Sequence, residues 1–172
     1  MNWDATTAEC HVFTYKQGLL SRVAHDLKIA VTKFDVSVED GVVEAIFDAG
    51  SLRTQIAMKR GKQNPGALSA SDLNTIDDRI REVVLHSTRH PKIRFFSEGS
   101  DISKTPWSAR GTLELHGVSR PLSASIRTEQ GSWIARVQLS QPEFGIPPFT
   151  AMMGALKIKP DVDIVLRCSL PR

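Results

Sequence analysis

The chain has 172 residues, 41% hydrophobic and 24% charged, which suits one domain over 1–172 and excludes wholesale disorder. Its 22 Lys and Arg against 19 Asp and Glu leave a formal charge of +3, too small an excess to argue for nucleic acid. No window approaches the roughly eighteen consecutive apolar residues that a transmembrane segment needs.

The N-terminus, "MNWDATTAECHVFTYK", shows no basic region, apolar run or small-residue cleavage site of a secretory signal. A cytoplasmic location with reduced thiols is therefore the expectation. Cys10 and Cys168, near opposite ends, make no zinc motif and read as small buried apolar residues. Spacing leaves open whether they meet.

Period-two alternation dominates the chain. Leu27, Ile29 and Val31 alternate with polar or small neighbours; the phase slips, and Phe34, Val36 and Val38 continue the pattern. Such a slip predicts a bulge or bend in one long strand. "EDG" at Glu39 to Gly41 is a turn signal before the next strand, "VVEAIFDA". Lys59, Arg60 and Lys62 form the one dense basic cluster, in a Gly/Asn/Pro stretch that reads as a solvated loop.

One segment switches to helical spacing: Leu73, Ile76, Ile80, Val83 and Val84 between Ser71 and His86. Ser71 or Asn74 suits an N-cap, Asp77 and Asp78 an early turn, and "RHP" at Arg89 to Pro91 a stop. Strands then resume with "KIRFFSE". Trp107, Ala109, Gly111, Leu113 and Leu115 share one face of the next strand. Leu122, Ala124 and Ile126 follow, then Trp133 to Leu139 after an "EQGS" turn, and finally Val162 to Leu170. About eight one-faced strands and one inserted helix predict a mainly β fold: a single antiparallel β-barrel, its interior filled or holding one small ligand.

Candidate chemistry is sparse. His86 and His90 are four apart, but Pro91 ends the helix and no third ligand is evident, so no metal site is expected; both read as residues at the negative helix end. No nucleophile elbow, phosphate loop or dinucleotide fingerprint occurs. His25 and Asp26 resemble a base with its orienter, yet strand neighbours point to opposite faces. "GIPPFTAMMGAL", Gly145 to Leu156, carries no charge, and its Pro-Pro pair forbids an ordinary strand. It is either a plug at one barrel end or an adaptable lid over an apolar cavity. "HGVSRP", His116 to Pro121, reads as a turn in which Gly117 gives a permissive backbone and Pro121 starts the next strand.

Several stretches resemble the YceI-like family. "SLRT" at Ser51 to Thr54 is similar to its Ser-Leu-x-Thr, and "HPKIRFFS" at His90 to Ser97 to its Tyr-Pro-x-Ile-x-Phe-x-Ser strand, with His90 in place of tyrosine. "GTLELHGVSRPL" at Gly111 to Leu122 resembles the family's His-Gly-Val hallmark, and "FGI" (Phe144 to Ile146) and "VDIVLR" (Val162 to Arg167) fall in family order. "GLLSRVAHDLKI" looks like a subgroup pattern containing His-Asp. The resemblance implies an extended lipocalin-like barrel around a long apolar ligand, in characterised relatives a polyisoprenoid such as a quinone tail or prenyl chain. It implies no other cofactor and transfers no catalytic residue. Many relatives are periplasmic with a signal peptide, from which this chain departs.

The expected function is thus non-catalytic binding of an isoprenoid or other amphiphilic lipid. Expected inward-facing residues are Phe95, Trp107, Leu113, Leu115, Ile164 and Leu166, with Phe149, Met152 and Met153 at the mouth. Two alternatives stand beside it. One is an enzyme or stress-related protein using His25, Asp26 and His116 at the barrel mouth. The other is an interaction module with a filled barrel that exposes Pro147 to Leu156. A homodimer stays open.

Overall fold

The computed structural model describes residues 1–18 and 24–170. Seven strands come first: β1 (Asn2–Asp4), β2 (Ala8–Thr14), β3 (Asp26–Val31), β4 (Phe34–Glu39), β5 (Val42–Asp48), β6 (Leu52–Lys59) and β7 (Lys62–Gln63). After the helix α1 (Ala70–Arg79) come β8 (Lys92–Ser97), β9 (Trp107–Leu115), β10 (Val118–Glu129), β11 (Ser132–Ser140), β12 (Thr150–Ala151), β13 (Leu156–Lys157) and β14 (Asp161–Ser169). Twelve strands form one antiparallel sheet in the order β1-β4-β5-β8-β9-β10-β11-β14-β2-β3-β6-β7, while β12 and β13 pair only with each other.

Two expectations need correction here. Alternation counted about eight strands, because three-residue β1 and two-residue β7, β12 and β13 are too short to show a period. Nor does the sheet close into a hydrogen-bonded ring, since no ladder joins its end strands β1 and β7. It curls instead. β3 and β4 lie in opposite arms of the sheet, yet only Thr32 and Lys33 separate them. Those two residues make a corner where the phase slips, dividing the expected single bent strand into two, and Leu27, Ile29, Val31, Phe34, Val36 and Val38 are all buried in one core. Ser51 fastens the corner: its carbonyl accepts from Thr32 N and Oγ1 at 3.2 and 2.8 Å, and its hydroxyl accepts from Lys33 N at 3.1 Å. "SLRT" is therefore a structural clamp.

Two-residue connections tie β4 to β5, β6 to β7, β9 to β10 and β10 to β11. Their central pairs, Asp40-Gly41, Arg60-Gly61, His116-Gly117 and Gln130-Gly131, all have positive φ, as hairpin turns matching the strand twist require. His116-Gly117 is thus the turn foreseen, but β10 begins at Val118, and Pro121 lies inside it opposite Thr112. The β10–β11 ladder starts only at Ser125, so the missing N–H of Pro121 falls where that side of β10 has no strand neighbour.

The helix starts earlier than its sequence suggested. Ser69 is the N-cap: its hydroxyl accepts from Asp72 N at 3.1 Å while the Asp72 carboxylate accepts from Ser69 N at 2.8 Å, a reciprocal capping box. Asp77 therefore stands mid-helix, not in the first turn. After Arg79 the helix widens through Ile80–Val84, where Leu85 N donates to Ile80 O at 2.9 Å across five residues.

Candidate functional site

The curled sheet leaves a cavity of about 620 Å³. Its wall is the inward row of each strand, its roof Ile76 of α1 with Ile80 and Val84 of the widened turn that follows, and its rim the segment between β11 and β14. The barrel is not filled. Register explains the shape: Trp133 pairs with Cys168 at one end of the β11–β14 ladder and Leu139 with Val162 near the other, and all four line the cavity. Six residues along a strand span about 20 Å.

One end is stoppered by indoles. Trp133 lies 5.8 Å from Trp3 and 5.1 Å, edge to face, from Trp107, and Trp3 Nε1 donates to the Ser169 carbonyl at 2.6 Å. At the other end the hairpin β12–β13 crosses the opening. Gln17 N donates to Lys157 O and Lys159 N to Tyr15 O, both at 2.8 Å, which sews the hairpin to the strand continuing β2. Polar side chains gather there: Thr14, His25, Asp72, Thr75, Arg79 and Gln141 all contribute to the lining. Asp72, beside His25, has its carboxyl held below the usual range by hydrogen bonds from Ser69. Of these only His25 stands out in the sequence, through its His-Asp pair, because an amphipathic helix roof and a loop rim have no period-two signal.

Of the residues expected to face inward, Phe95, Trp107, Leu113, Leu115, Ile164 and Leu166 line the cavity. So do Phe149 and Met152 at the rim. Met153 does not; it is fully exposed, because Met152 and Met153 both take positive φ and turn the second side chain away. Cys10 and Cys168 both line the cavity as free thiols. Register places them diagonally on adjacent strands, with Cys10 opposite Leu166 and Cys168 opposite Ala8. Burial pushes Cys10 up to about 12, with the neighbouring Cys168 adding to it, and Cys168 itself to about 11.

The three-residue polar site does not assemble. His25 is at the cavity mouth, whereas Asp26 lines a groove on the outer side with Tyr15 and Asp163 and accepts a hydrogen bond from Lys16 N at 2.9 Å. In that groove Tyr15 donates to Asp163 at 2.5 Å, and burial followed by this bond raises its phenol to about 12. Consecutive residues simply face opposite ways. His116 is elsewhere, its ring centroid 4.5 Å from His90 and 5.5 Å from His86. Tertiary folding thus adds His116 to the His86 and His90 pair, although no group of three or more His, Cys, Asp or Glu among the described residues is arranged to hold a metal ion. Of "GLLSRVAHDLKI", Leu19 to Val23 lie outside the described residues. No helix among the described residues is long and apolar enough to cross a membrane.

A curled antiparallel sheet with a roofing helix around an apolar cavity defines a lipocalin-like class of protein. Within it, the YceI-like domain model matches residues 3–170, and the chain belongs to that family. Solved structures with the same fold include BcnA of Burkholderia cenocepacia (TM-score 0.66, 11% identity, covering 95% of this chain and 96% of that one). A polyisoprenoid binding domain from Saccharophagus degradans, described as implicated in plant cell wall breakdown, gives 0.63 at 12% identity over 99% and 98%. A Campylobacter jejuni YceI protein gives 0.56 at 11% over 92% and 91%. No curated protein matches the sequence.

Proposed function

We propose that this protein binds a long apolar chain, a polyisoprenoid or similar lipid tail, inside the curled sheet and catalyses nothing. One observation carries the reading: a cavity of about 620 Å³ runs from an indole-stoppered end to a polar-fringed mouth and is walled by aliphatic and aromatic side chains. A chain entering it sheds water along its length, at about 0.8 kcal/mol per buried CH₂, so affinity needs few polar contacts. The polar fringe of Thr14, His25, Asp72, Thr75, Arg79 and Gln141 suits an amphiphile whose head stays near water. The polyisoprenoid binding domain of similar fold supports the same class of guest.

Against an enzyme built on His25, Asp26 and His116 stands their separation, which does not bring the three to one reacting point. Organic extraction of the purified protein, followed by mass spectrometry, is expected to return a prenyl-chain lipid. Leu166→Trp, which fills the lumen midway, is expected to abolish both this recovery and binding of a fluorescent prenyl probe; Ile164→Phe serves as a milder second variant. Unfilled protein that also ignores the probe would refute the reading.

A further inference from the structure

The hairpin at the mouth has a feature that lumen binding leaves unused. Met152 and Met153 sit consecutively in the left-handed region, at φ 52° and 57°, a conformation that side chains other than Gly, Asn and Asp seldom adopt. It thrusts the tip outward: Met152 is 63% exposed while still touching the lumen, and Met153 is fully exposed. These are the two most exposed large hydrophobic side chains among the described residues, and they stand at the rim of the apolar cavity. The segment that carries them is itself cationic. From Phe144 to Pro160 the chain carries Lys157 and Lys159 and no acid. Both lysines are exposed and belong to none of the ion pairs among the described residues. Lys157 lies alongside the tip, its Cε 3.6 Å from where a Cβ on Gly154 would stand. Asp72, an acid that lines the mouth, belongs to α1 and not to the hairpin.

We propose that this hairpin is a docking lip for an anionic lipid bilayer. Met153 enters the acyl boundary, Lys157 and Lys159 meet the headgroups, and Met152 and Phe149 give a continuous apolar surface from bilayer to lumen. The inference rests on the lipid-binding reading for its purpose, not for its geometry. An apolar tip on a hairpin that carries two lysines is the two-part signal that surface attachment requires: a little buried apolar area plus attraction to negative lipid. Methionine suits the tip because its flexible, polarizable chain accepts irregular surroundings. A chain leaving the bilayer would then reach the lumen without passing through water.

Vesicle flotation of the full chain tests this. Vesicles of equimolar phosphatidylcholine and phosphatidylglycerol are expected to retain the protein, pure phosphatidylcholine far less, and molar salt is expected to release it. Lys157→Glu and Lys159→Glu should each weaken retention by about fivefold or more, from the roughly 1 kcal/mol that each basic residue contributes near such a surface. Met153→Asp should weaken it comparably; Asp tolerates the left-handed conformation, so folding is preserved, and Met153→Asn is the uncharged control. None of these should change affinity for a soluble fluorescent prenyl probe. Equal flotation on both lipid mixtures, or Met153→Asp behaving as the parent chain, would overturn the proposal and leave the tip to a protein partner. Retention on anionic vesicles without probe binding would keep the lip and discard the lipid-binding function.

Discussion

Asp77 Oδ1 accepts a hydrogen bond from the backbone N–H of Thr54 at 2.7 Å. The two residues join the roof to the wall. β7 covers β6 only at Met58 and Lys59, so the Thr54 N–H faces an edge that no strand satisfies. A helical carboxylate, 9% exposed, supplies the missing acceptor and so fixes α1 across the lumen.

Asp77→Ala is therefore expected to cost about 1–3 kcal/mol, the penalty of stranding a buried N–H. Asp77→Asn, which keeps an acceptor, should recover most of it. Urea unfolding midpoints of the two variants measure this, and equal losses would show the contact to be incidental.

Gly111 sets the approach of β9 to β8. A Cβ there would stand 2.0 Å from the Phe96 carbonyl oxygen and 2.6 Å from Ser97 Cα, both backbone. Backbone cannot swing aside as a side chain does, so Gly111→Ala should destabilise at or above the about 1–3 kcal/mol typical of overpacking. Thermal unfolding would report it, and an unshifted Tm would contradict the close approach.

The histidine cluster predicts a pH dependence. Burial lowers the His116 pKa, the proximity of His90, His86 and Arg89 lowers it further, and its hydrogen bond to the Phe144 backbone opposes them. The folded protein thus resists a proton that the unfolded chain accepts near pH ~6.5. Stability should be full above that value, fall as pH drops through it, and level off below the lowered folded pKa. His116→Asn, which retains the positive φ of 55°, should flatten part of this slope in Tm measured between pH 5 and 8. His11, also lowered by burial and by Lys28, supplies a residual slope of the same sign. An unchanged slope in His116→Asn would rule out this assignment.

Both lumen thiols should be inert. With Cys10 near 12 and Cys168 near 11, the thiolate fraction at pH 8 is far below that of an exposed cysteine. Reaction with a water-soluble disulfide reagent is expected to be slow in the native state and complete on denaturation. Rapid native labelling would mean that water reaches the lumen freely.

Local alternation determined much of this protein. The inward faces of β3, β4, β9, β10, β11 and β14, the corner at Thr32 and Lys33, and the His116-Gly117 turn follow from neighbours in sequence. Side chains alternate and two-residue turns need permissive backbones whatever surrounds them. Short strands, the Ser69 cap and the open ends of the sheet depended on partners far along the chain. So did three things no local pattern encodes: His86, His90 and His116 gathering on one side, His25 and Asp26 parting, and a hollow remaining between the apolar faces. Whether a row of aliphatic side chains meets another row or a void is set by how strands far apart in the chain register and curl, and only the folded sheet decides that.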